Sequence, residues 1–367
     1  MRSRLKVFIP LALVCFSIGV GWGVVNNRQQ YKEMAQSTPL RVLCAENWLS
    51  DSVLDRFSRQ HKVPIQLYTY ARPSEFLRQM ANSDGKIDVV CTSSLLLKSL
   101  VQNRWVRKAD YLSLGNVKLL SVDFVHLPYD PDAEYSVPLF WNLYGFFGKG
   151  DEPGSTWKQT MASKKVTFWG EELNILNAME NSGVKIQDKL EQEETNGIEQ
   201  EVKSFLKNVA QVLKPDTNPV TGEAVTAKAD WILLPLARVA RLLGENSPYK
   251  FWLPEDGSTM EVGLLAIGEK SSQPKLALAL INELLSTEHA IQVNQRLKAG
   301  TVHESLGHMD SISSLQKAQA LRNFPLNRFR FPDLDVEVLP RFGRIFAESV
   351  GDKTGVKSES NTPASEP

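Results

Sequence analysis

The sequence predicts an α/β protein of two lobes, each a sheet flanked by helices, which two crossover strands join. A chain of 367 residues is too long for one small domain and suits two. From residue 40 to residue 102, short apolar runs alternate with amphipathic stretches of helix length, a pattern typical of a parallel sheet covered by helices. Two further apolar runs, Glu134–Gly148 and Met260–Ile267, interrupt this order and predict the crossovers.

The first part of the chain predicts three strands and three helices in alternation. Strands are predicted over Leu40–Cys44, Val63–Tyr70 and Gly85–Val90. The helices are expected after a cap at Ser50 or Asp51, over Pro73–Met80, and over Leu95–Gln102. Between the third strand and the last of these helices, Thr92, Ser93 and Ser94 predict a polar turn.

The densest aromatic run is Glu134–Gly148, which we interpret as the first crossover. Pro138 is expected to prevent one uninterrupted central strand, because proline lacks the N–H that a ladder needs. The second crossover, Met260–Ile267, is expected to be its neighbour at the hinge. A single sheet continuous through both lobes would count against this arrangement.

The second part of the chain again alternates strand and helix patterns. Strands are predicted over Lys165–Trp169, Asp230–Leu234 and Tyr249–Leu253, a helix over Glu171–Asn181, and an amphipathic segment over Val202–Leu213. Pro274–Leu285 and Thr287–Leu297 predict a pair of helices. The last residues, from 349 onward, are polar and serine-rich and predict a disordered tail.

The N-terminus predicts export. Arg2, Arg4 and Lys6 precede the apolar run Val7–Val25, the pattern of a secretory signal. The run is also nearly long enough to span a bilayer, so both a cleaved signal peptide and a retained membrane anchor remain open. Either outcome places the rest of the chain outside the cytoplasm.

The charge balance and the absence of catalytic motifs argue against a nucleic-acid-binding protein and against an enzyme. Lys+Arg and Asp+Glu both number 42, and the missing basic surplus argues against nucleic-acid binding. The chain has no Gly-x-Ser-x-Gly, no His-Glu-x-x-His and no phosphate loop, so we predict no enzyme and no cofactor. His303, Glu304 and His308 have no specific metal spacing, and no metal site is predicted. Cys44 and Cys91 are expected on neighbouring strands, more as buried free thiols than as a disulfide.

Several fragments carry a resemblance to a known family. They are Lys86–Val90 followed by Thr92 and Ser93, Asn103–Val106, Tyr129–Pro131, Tyr135–Pro138 and Leu276–Leu285. In their order, from Leu40 to Leu306, the chain resembles the periplasmic solute-binding proteins of ABC transporters, in particular the spermidine/putrescine-binding family.

The resemblance implies a type II-like periplasmic-binding-protein fold with defined parts. Residues 1–25 would be the signal or anchor and 26–39 a linker. Residues 38–137 and 262–308 would form the first lobe, 138–261 and 309–348 the second, and 349–367 the tail. It further implies a small-molecule solute, an ABC permease as partner, a monomer, and a location in the periplasm or on the inner membrane facing it.

Ligands of open α/β sheets bind beyond the carboxyl ends of strands, so position selects the candidate binding residues. Aromatic rings and carboxylates are what a cationic amine requires. Each candidate also has a structural interpretation, as a core aromatic or a helix-dipole partner. The candidates are Glu46, Trp48, Thr92, Ser93, Trp141, Asn142, Tyr144, Glu171 and Glu261.

The resemblance is incomplete at the polyamine cage. The acid after the first strand is shifted to Glu46, and the positions of two family tryptophans are Leu233 and Glu261. We therefore predict a solute-binding protein that favours a polyamine-like cationic amine. The alternatives are a neutral or anionic solute held at a helix N-terminus, and a membrane-anchored scaffold or signalling domain without a transport role.

Overall fold

The computed structural model describes residues 37–149, 151, 154–163, 166–169, 172–184, 186, 195–207, 209, 211–213, 231–237, 250–306, 329–331 and 338–354. Within these ranges the chain is mixed α/β. Its strands are β1 (Leu40–Ala45), β2 (Ile65–Tyr70), β3 (Val89–Ser93), β4 (Val106–Arg107), β5 (Val137–Gly148), β6 (Val166–Trp169), β7 (Gln211–Leu213), β8 (Trp231–Pro235), β9 (Lys250–Trp252), β10 (Ser258–Gly268), β11 (Gly300–Thr301) and β12 (Phe329–Arg330).

The described helices are α1 (Asp51–His61), α2 (Pro73–Asn82), α3 (Leu97–Gln102), α4 (Val122–Val125), α5 (Trp157–Ala162), α6 (Glu172–Asn181), α7 (Thr195–Lys207), α8 (Pro274–Leu284), α9 (Thr287–Leu297) and α10 (Val338–Thr354). They include those predicted after Ser50, over Pro73–Met80, Leu95–Gln102 and Glu171–Asn181, and over Pro274–Leu285 and Thr287–Leu297, together with α4, α5 and α10, which the sequence did not predict. Helix α1 begins after Ser50 and buries Val53, Leu54 and Phe57, which recur on one face of the helix.

The two halves of the fold repeat one strand order. In the first half, β1 pairs in parallel with β2 and β3, and β10 adds to β3 in antiparallel. In the second half, β6 pairs in parallel with β7 and β8, and β5 adds to β8 in antiparallel. This confirms two lobes, each with three parallel strands and one long antiparallel strand. The individual domain boundaries stay predictions.

The two crossover strands are direct neighbours, as predicted. Met260–Leu265 of β10 pair with Val137–Leu143 of β5, and the rest of β5 pairs with β8 and β9 of the second half. Hydrogen-bonded pairing is therefore formally continuous through both halves. The continuity arises because the first part of β5 pairs in the sheet of the first half and the last part pairs in the sheet of the second half. The two groups of parallel strands remain separate from each other.

The prediction that Pro138 breaks the first crossover is wrong. β5 continues through Pro138, which lies at the second position of the strand. Pro138 is paired with Leu264 where the register between β5 and β10 shifts, next to Gly263. A missing N–H is tolerated at a strand start and at an irregularity of the ladder, because no regular bond is lost there.

Three further boundaries differ from the sequence prediction. Thr92 and Ser93 belong to β3 and not to a turn, since the antiparallel partner β10 extends the ladder to Ser93. The segment Val202–Leu213 is divided, because α7 ends at Lys207 and β7 begins at Gln211. Helix α10 packs on α7 and β7 and continues to Thr354, into the segment predicted as tail.

Two apolar clusters hold these elements together. One cluster lies under α1, α8 and α9 and contains Val42, Phe57, Leu265 and Ile281. The other continues from the opposite face of the first sheet into the second lobe and contains Phe76, Leu264 and Phe168. None of the helices in the described ranges combines the length and the apolarity that crossing a bilayer requires.

Candidate functional site

A cavity of about 330 Å³ lies between the two halves of the fold. Its floor is formed by residues at the carboxyl ends of β1, β2 and β3, where parallel strands leave an open edge. β5 and β10 form one side. Pro235 and Ala237, which lie at and after the end of β8, close the side that belongs to the second lobe.

Alternation along β5 decides which of its side chains reach the cavity. Phe140, Asn142 and Tyr144 all line it. The side chains of a strand point alternately to opposite faces, so Trp141 and Leu143 lie on the other side. Asn142 is paired with Glu261 of β10, which brings this carboxyl group to the same face.

Glu261 is the chemical centre of the cavity. The Tyr144 hydroxyl donates a hydrogen bond to Glu261 Oε2 at 3.0 Å, and the Ser93 hydroxyl donates a second bond to the same carboxyl group. Burial raises the pKa of Glu261, and these two hydrogen bonds act in the opposite direction. No Lys, Arg or His is among the described residues that line the cavity. Glu261 is thus a part-buried acid that faces the cavity with no basic side chain among the described residues around it.

Aromatic rings form the wall beyond Glu261. The Trp48 and Phe140 rings meet edge to face with 4.6 Å between their centroids. The Phe140 ring lies over Gly263, where a Cβ would come within 2.4 Å of it. The absence of a side chain at Gly263 thus lets Phe140 pack flat against β10.

Asn142 links the cavity to the second lobe. Its Oδ1 accepts hydrogen bonds from the backbone N–H of Ala237 at 3.0 Å and of Leu143 at 3.1 Å. Both lone pairs of this oxygen are therefore used within the protein. The bond to Ala237 holds the end of β8 against β5, so that residues of both lobes line one cavity.

The structure brings together five of the nine residues predicted for the site, and it places three others elsewhere. Trp48, Ser93, Asn142, Tyr144 and Glu261 line the cavity. Glu46 is exposed in the turn after β1. Thr92 is fully buried on the face of β3 opposite to Ser93. Glu171 lies outside the described residues.

Trp141 occupies the far face of β5. Its indole N–H donates to the Thr301 carbonyl at 3.0 Å, and its ring stacks on Phe124 with 6.2 Å between centroids. A Cβ on Gly300 would lie 2.0 Å from the ring, so Gly300 makes the space that Trp141 fills. The sequence reasoning that placed Trp141 in the cleft did not include the phase of the strand.

Sequence reasoning also missed several residues of the lining. Leu95 and Leu96 follow β3, Tyr70 ends β2, and Leu297 ends α9. Phe140 could have been found from the sequence, because it shares the period-2 phase of Asn142 and Tyr144. Leu297 could not, since only the packing of α9 brings it to the cavity.

Both cysteines lie on strands whose carboxyl ends contribute to the cavity floor. Cys44 and Cys91 are buried free thiols on the paired strands β1 and β3, and a hydrogen bond joins their side chains. Burial, this bond and the charge of the second thiol all raise the pKa of Cys44. The Tyr70 hydroxyl donates to the Cys91 carbonyl at 2.9 Å and fixes this ring at the cavity edge.

Comparisons with known proteins agree with this fold. No protein-family model matches the chain. The spermidine/putrescine-binding periplasmic protein of Escherichia coli (strain K12) is 26% identical over 267 residues, which cover 68% of this chain and 74% of that protein.

Solved structures give the same picture for the fold alone. The spermidine/putrescine ABC transporter substrate-binding protein PotD from Streptococcus pneumoniae superposes with a TM-score of 0.65 at 14% identity, over 85% of this chain and 98% of that one. The apo ferric ion-binding protein A of Pasteurella haemolytica superposes with a TM-score of 0.57 at 13% identity, over 88% and 100%. The chain therefore has the periplasmic-binding-protein fold, which supports more than one kind of ligand.

Proposed function

We propose that this chain is an extracytoplasmic solute-binding protein that captures a small cationic, polyamine-like amine and delivers it to an ABC importer. The observation that carries the proposal is Glu261, a part-buried carboxyl group that faces an aromatic cavity with no basic side chain among its described lining. The similarity to the Escherichia coli protein supports the same class of role. The proposed role involves no covalent chemistry.

An ammonium group would complete the electrostatics of this cavity. It would donate charge-assisted hydrogen bonds to the Glu261 carboxylate, whose other partners are the neutral hydroxyls of Tyr144 and Ser93. The faces of Trp48 and Phe140 would attract the same positive charge. An anion would find no basic side chain among the described residues of the lining, and the anionic alternative is correspondingly weaker.

Capture would proceed by closure of the lobes. The two long strands β5 and β10 pass between the lobes side by side, and residues from both lobes line the cavity. Hinge closure around a ligand is the general behaviour of two-lobe binding proteins. The permease partner and the monomeric state form part of this proposal, as does export directed by residues 1–25, either as a cleaved signal peptide or as a retained membrane anchor.

The test is calorimetric titration of putrescine and spermidine into the wild type and Glu261→Gln. We expect the variant to bind each amine at least about thirtyfold more weakly, because truncating one partner of a desolvated charge pair costs about 2 kcal/mol or more. Glu46→Gln is the matched control, since Glu46 is exposed and outside the cavity lining. It should retain wild-type affinity.

Two outcomes would contradict the proposal. If the wild type gives neither heat nor a thermal shift with any amine, the proposal that the ligand is cationic is wrong. If Glu46→Gln weakens binding as much as Glu261→Gln does, the cavity is not where the amine binds. Glu171 stays a sequence prediction, and Glu171→Gln in the same titration would show whether it contributes.

A further inference from the structure

We propose that Cys44 and Cys91 are a dithiol–disulfide pair, which cross-links β1 to β3 when the chain folds in an oxidising compartment. Neither sulfur has to touch the solute, so this chemistry is separate from solute binding. From the proposed function it takes only the extracytoplasmic location, because disulfides form and persist there. It follows from the register of the two strands, the shared face of the two side chains and the contact between the thiols.

The two cysteines are opposite each other in a parallel ladder. Val42 pairs with Val89 and Leu43 with Val90, so the next position of the same register sets Cys44 against Cys91. Neighbouring strands lie about 4.8 Å apart. Disulfides join residues whose Cα atoms are roughly 4.4–6.8 Å apart. The backbone therefore holds the two cysteines within the range that a disulfide requires.

Both side chains lie on the same face of the sheet. Cys44 belongs with Val42, and Cys91 with Val89, to the apolar cluster under α1, α8 and α9. Both cysteines are free thiols, and a hydrogen bond joins their side chains. The sulfurs thus already face each other in the reduced protein, and neither strand has to shift its register for a bond to form.

Exchange with a small disulfide, such as oxidised glutathione, supplies the chemistry. The thiolate of one cysteine attacks a sulfur of the small disulfide, forms a mixed disulfide and releases one small thiolate. The thiolate of the other cysteine then attacks the protein sulfur of the mixed disulfide, and the second small thiolate leaves. The two cysteines lose two electrons and two protons, and the small disulfide gains them and becomes two thiols.

Burial determines when this exchange takes place. Cys44 and Cys91 are 1% and 0% exposed, so a small disulfide does not reach them in the closed fold. Burial also raises the pKa of Cys44, and a neutral thiol is a poor nucleophile. The exchange therefore takes place while the first lobe folds, before α1, α8 and α9 cover the strands. The closed fold then protects the disulfide from reduction.

The cross-link fixes two strand ends that contribute to the cavity. Ala45 follows Cys44 and lines the cavity. Ser93 lies two positions after Cys91, lines the cavity as well and donates to Glu261. A covalent bond this close to both residues restricts local opening of the two strand ends. The oxidised protein is thus expected to have a more rigid cavity floor than the reduced protein.

The experiment refolds the fully reduced, full-length wild type from urea, either in a mixture of oxidised and reduced glutathione or in reduced glutathione alone. Free thiols are then blocked with N-ethylmaleimide under denaturing conditions, and peptide mass spectrometry locates the blocked and the linked cysteines. We expect most chains from the oxidising buffer to contain Cys44 linked to Cys91. Chains from reduced glutathione alone should carry the blocking group on both. Cys15→Ser is the control and should give the same link.

Three outcomes would overturn the proposal. The first is blocking of both Cys44 and Cys91 in most chains from the oxidising buffer, and the second is a predominant link that includes Cys15. The third is a linked protein that does not unfold cooperatively in urea, because the bond would then belong to a misfolded chain. The measurement involves no amine, so its failure is distinguishable from a failure of the amine titrations.

Amide hydrogen exchange tests the effect on the cavity floor. The backbone amides of Ala45 and Ser93 should exchange at least about threefold more slowly in the linked protein than in the reduced protein. The amides of Phe168 in β6 and Leu233 in β8 are the control and should exchange at equal rates, because these strands belong to the second lobe. Equal rates at Ala45 and Ser93 in the two forms would overturn the stiffening of the floor.

Discussion

Tyr144 and Trp141 lie three residues apart on β5, yet they belong to different regions of the molecule. Tyr144 lies on the cavity face and donates to Glu261. Trp141 lies on the far face, against Gly300 and Phe124. The pair shows that an aromatic residue beside a hinge is part of the site only when the phase of its strand directs it there. The cavity face is expected to govern binding, and the far face to govern stability.

The largest expected effect is a loss of folding stability when the far face of β5 is changed. Trp141→Ala should lower the free energy of unfolding by about 3 kcal/mol, because it empties the space over Gly300 and removes the bond to the Thr301 carbonyl. Amine affinity should change less than threefold. Urea unfolding and calorimetry measure the two quantities. A large loss of affinity with unchanged stability would place Trp141 in the binding site and end the comparison.

A second buried titratable group, His289, should make folding stability depend on pH. His289 is fully buried, and its Nδ1 bonds to the Leu284 carbonyl at 2.7 Å. The pKa of His289 is lowered to about 4, chiefly by burial and also by the charges of Arg296 and His303, while the Leu284 bond and Glu288 act in the opposite direction. The unfolded chain, with a pKa of about 6.5, therefore binds the proton first, and stability falls as the pH drops from 6.5 towards 4.

The expected loss from this histidine is about 2 kcal/mol between pH 7 and pH 5. Urea unfolding at the two pH values measures it, and His289→Gln should lose that much less. His126→Gln is the control, because His126 is exposed and should keep the wild-type dependence. If the wild type and His289→Gln lose equal stability, then His289 is not the group that resists protonation.

The smallest expected effect is a loss of amine affinity when the hydroxyl group of Tyr144 is removed from the cavity face. Tyr144→Phe should weaken amine binding about fivefold, because Glu261 loses a donor that favours its charged form. Unfolding stability should change little. Tyr129→Phe is the control, since no partner of the Tyr129 hydroxyl is found in the described part of the chain. Equal affinities for wild type and Tyr144→Phe would contradict the role of this hydrogen bond.

Much of the fold was predictable because local patterns and tertiary structure agree. The helices Pro274–Leu284 and Thr287–Leu297 follow their apolar periodicity almost to the residue. The three parallel strands of the first lobe were also predicted, although Thr92 and Ser93 were assigned to a turn. That error has a tertiary cause, because the ladder with β10 extends β3 through two polar residues.

The candidate site was predictable only in part. Trp48, Ser93, Asn142, Tyr144 and Glu261 follow from the rule that ligands lie beyond strand ends and on the crossovers. Glu46 and Thr92 follow the same rule and lie elsewhere. One is exposed in a turn, and the other faces the opposite side of the strand from Ser93.

The sequence by itself determined that β5 exists, that it is aromatic and that it connects two α/β units, because these properties depend on composition and periodicity along the chain. Only the tertiary structure decided which alternate set of its side chains meets the cavity. Packing of β10 against β5 places Glu261 opposite Asn142, and packing of Gly300 against Trp141 fixes the other face. A strand offers two equivalent faces, and its neighbours in space determine which one becomes a binding surface.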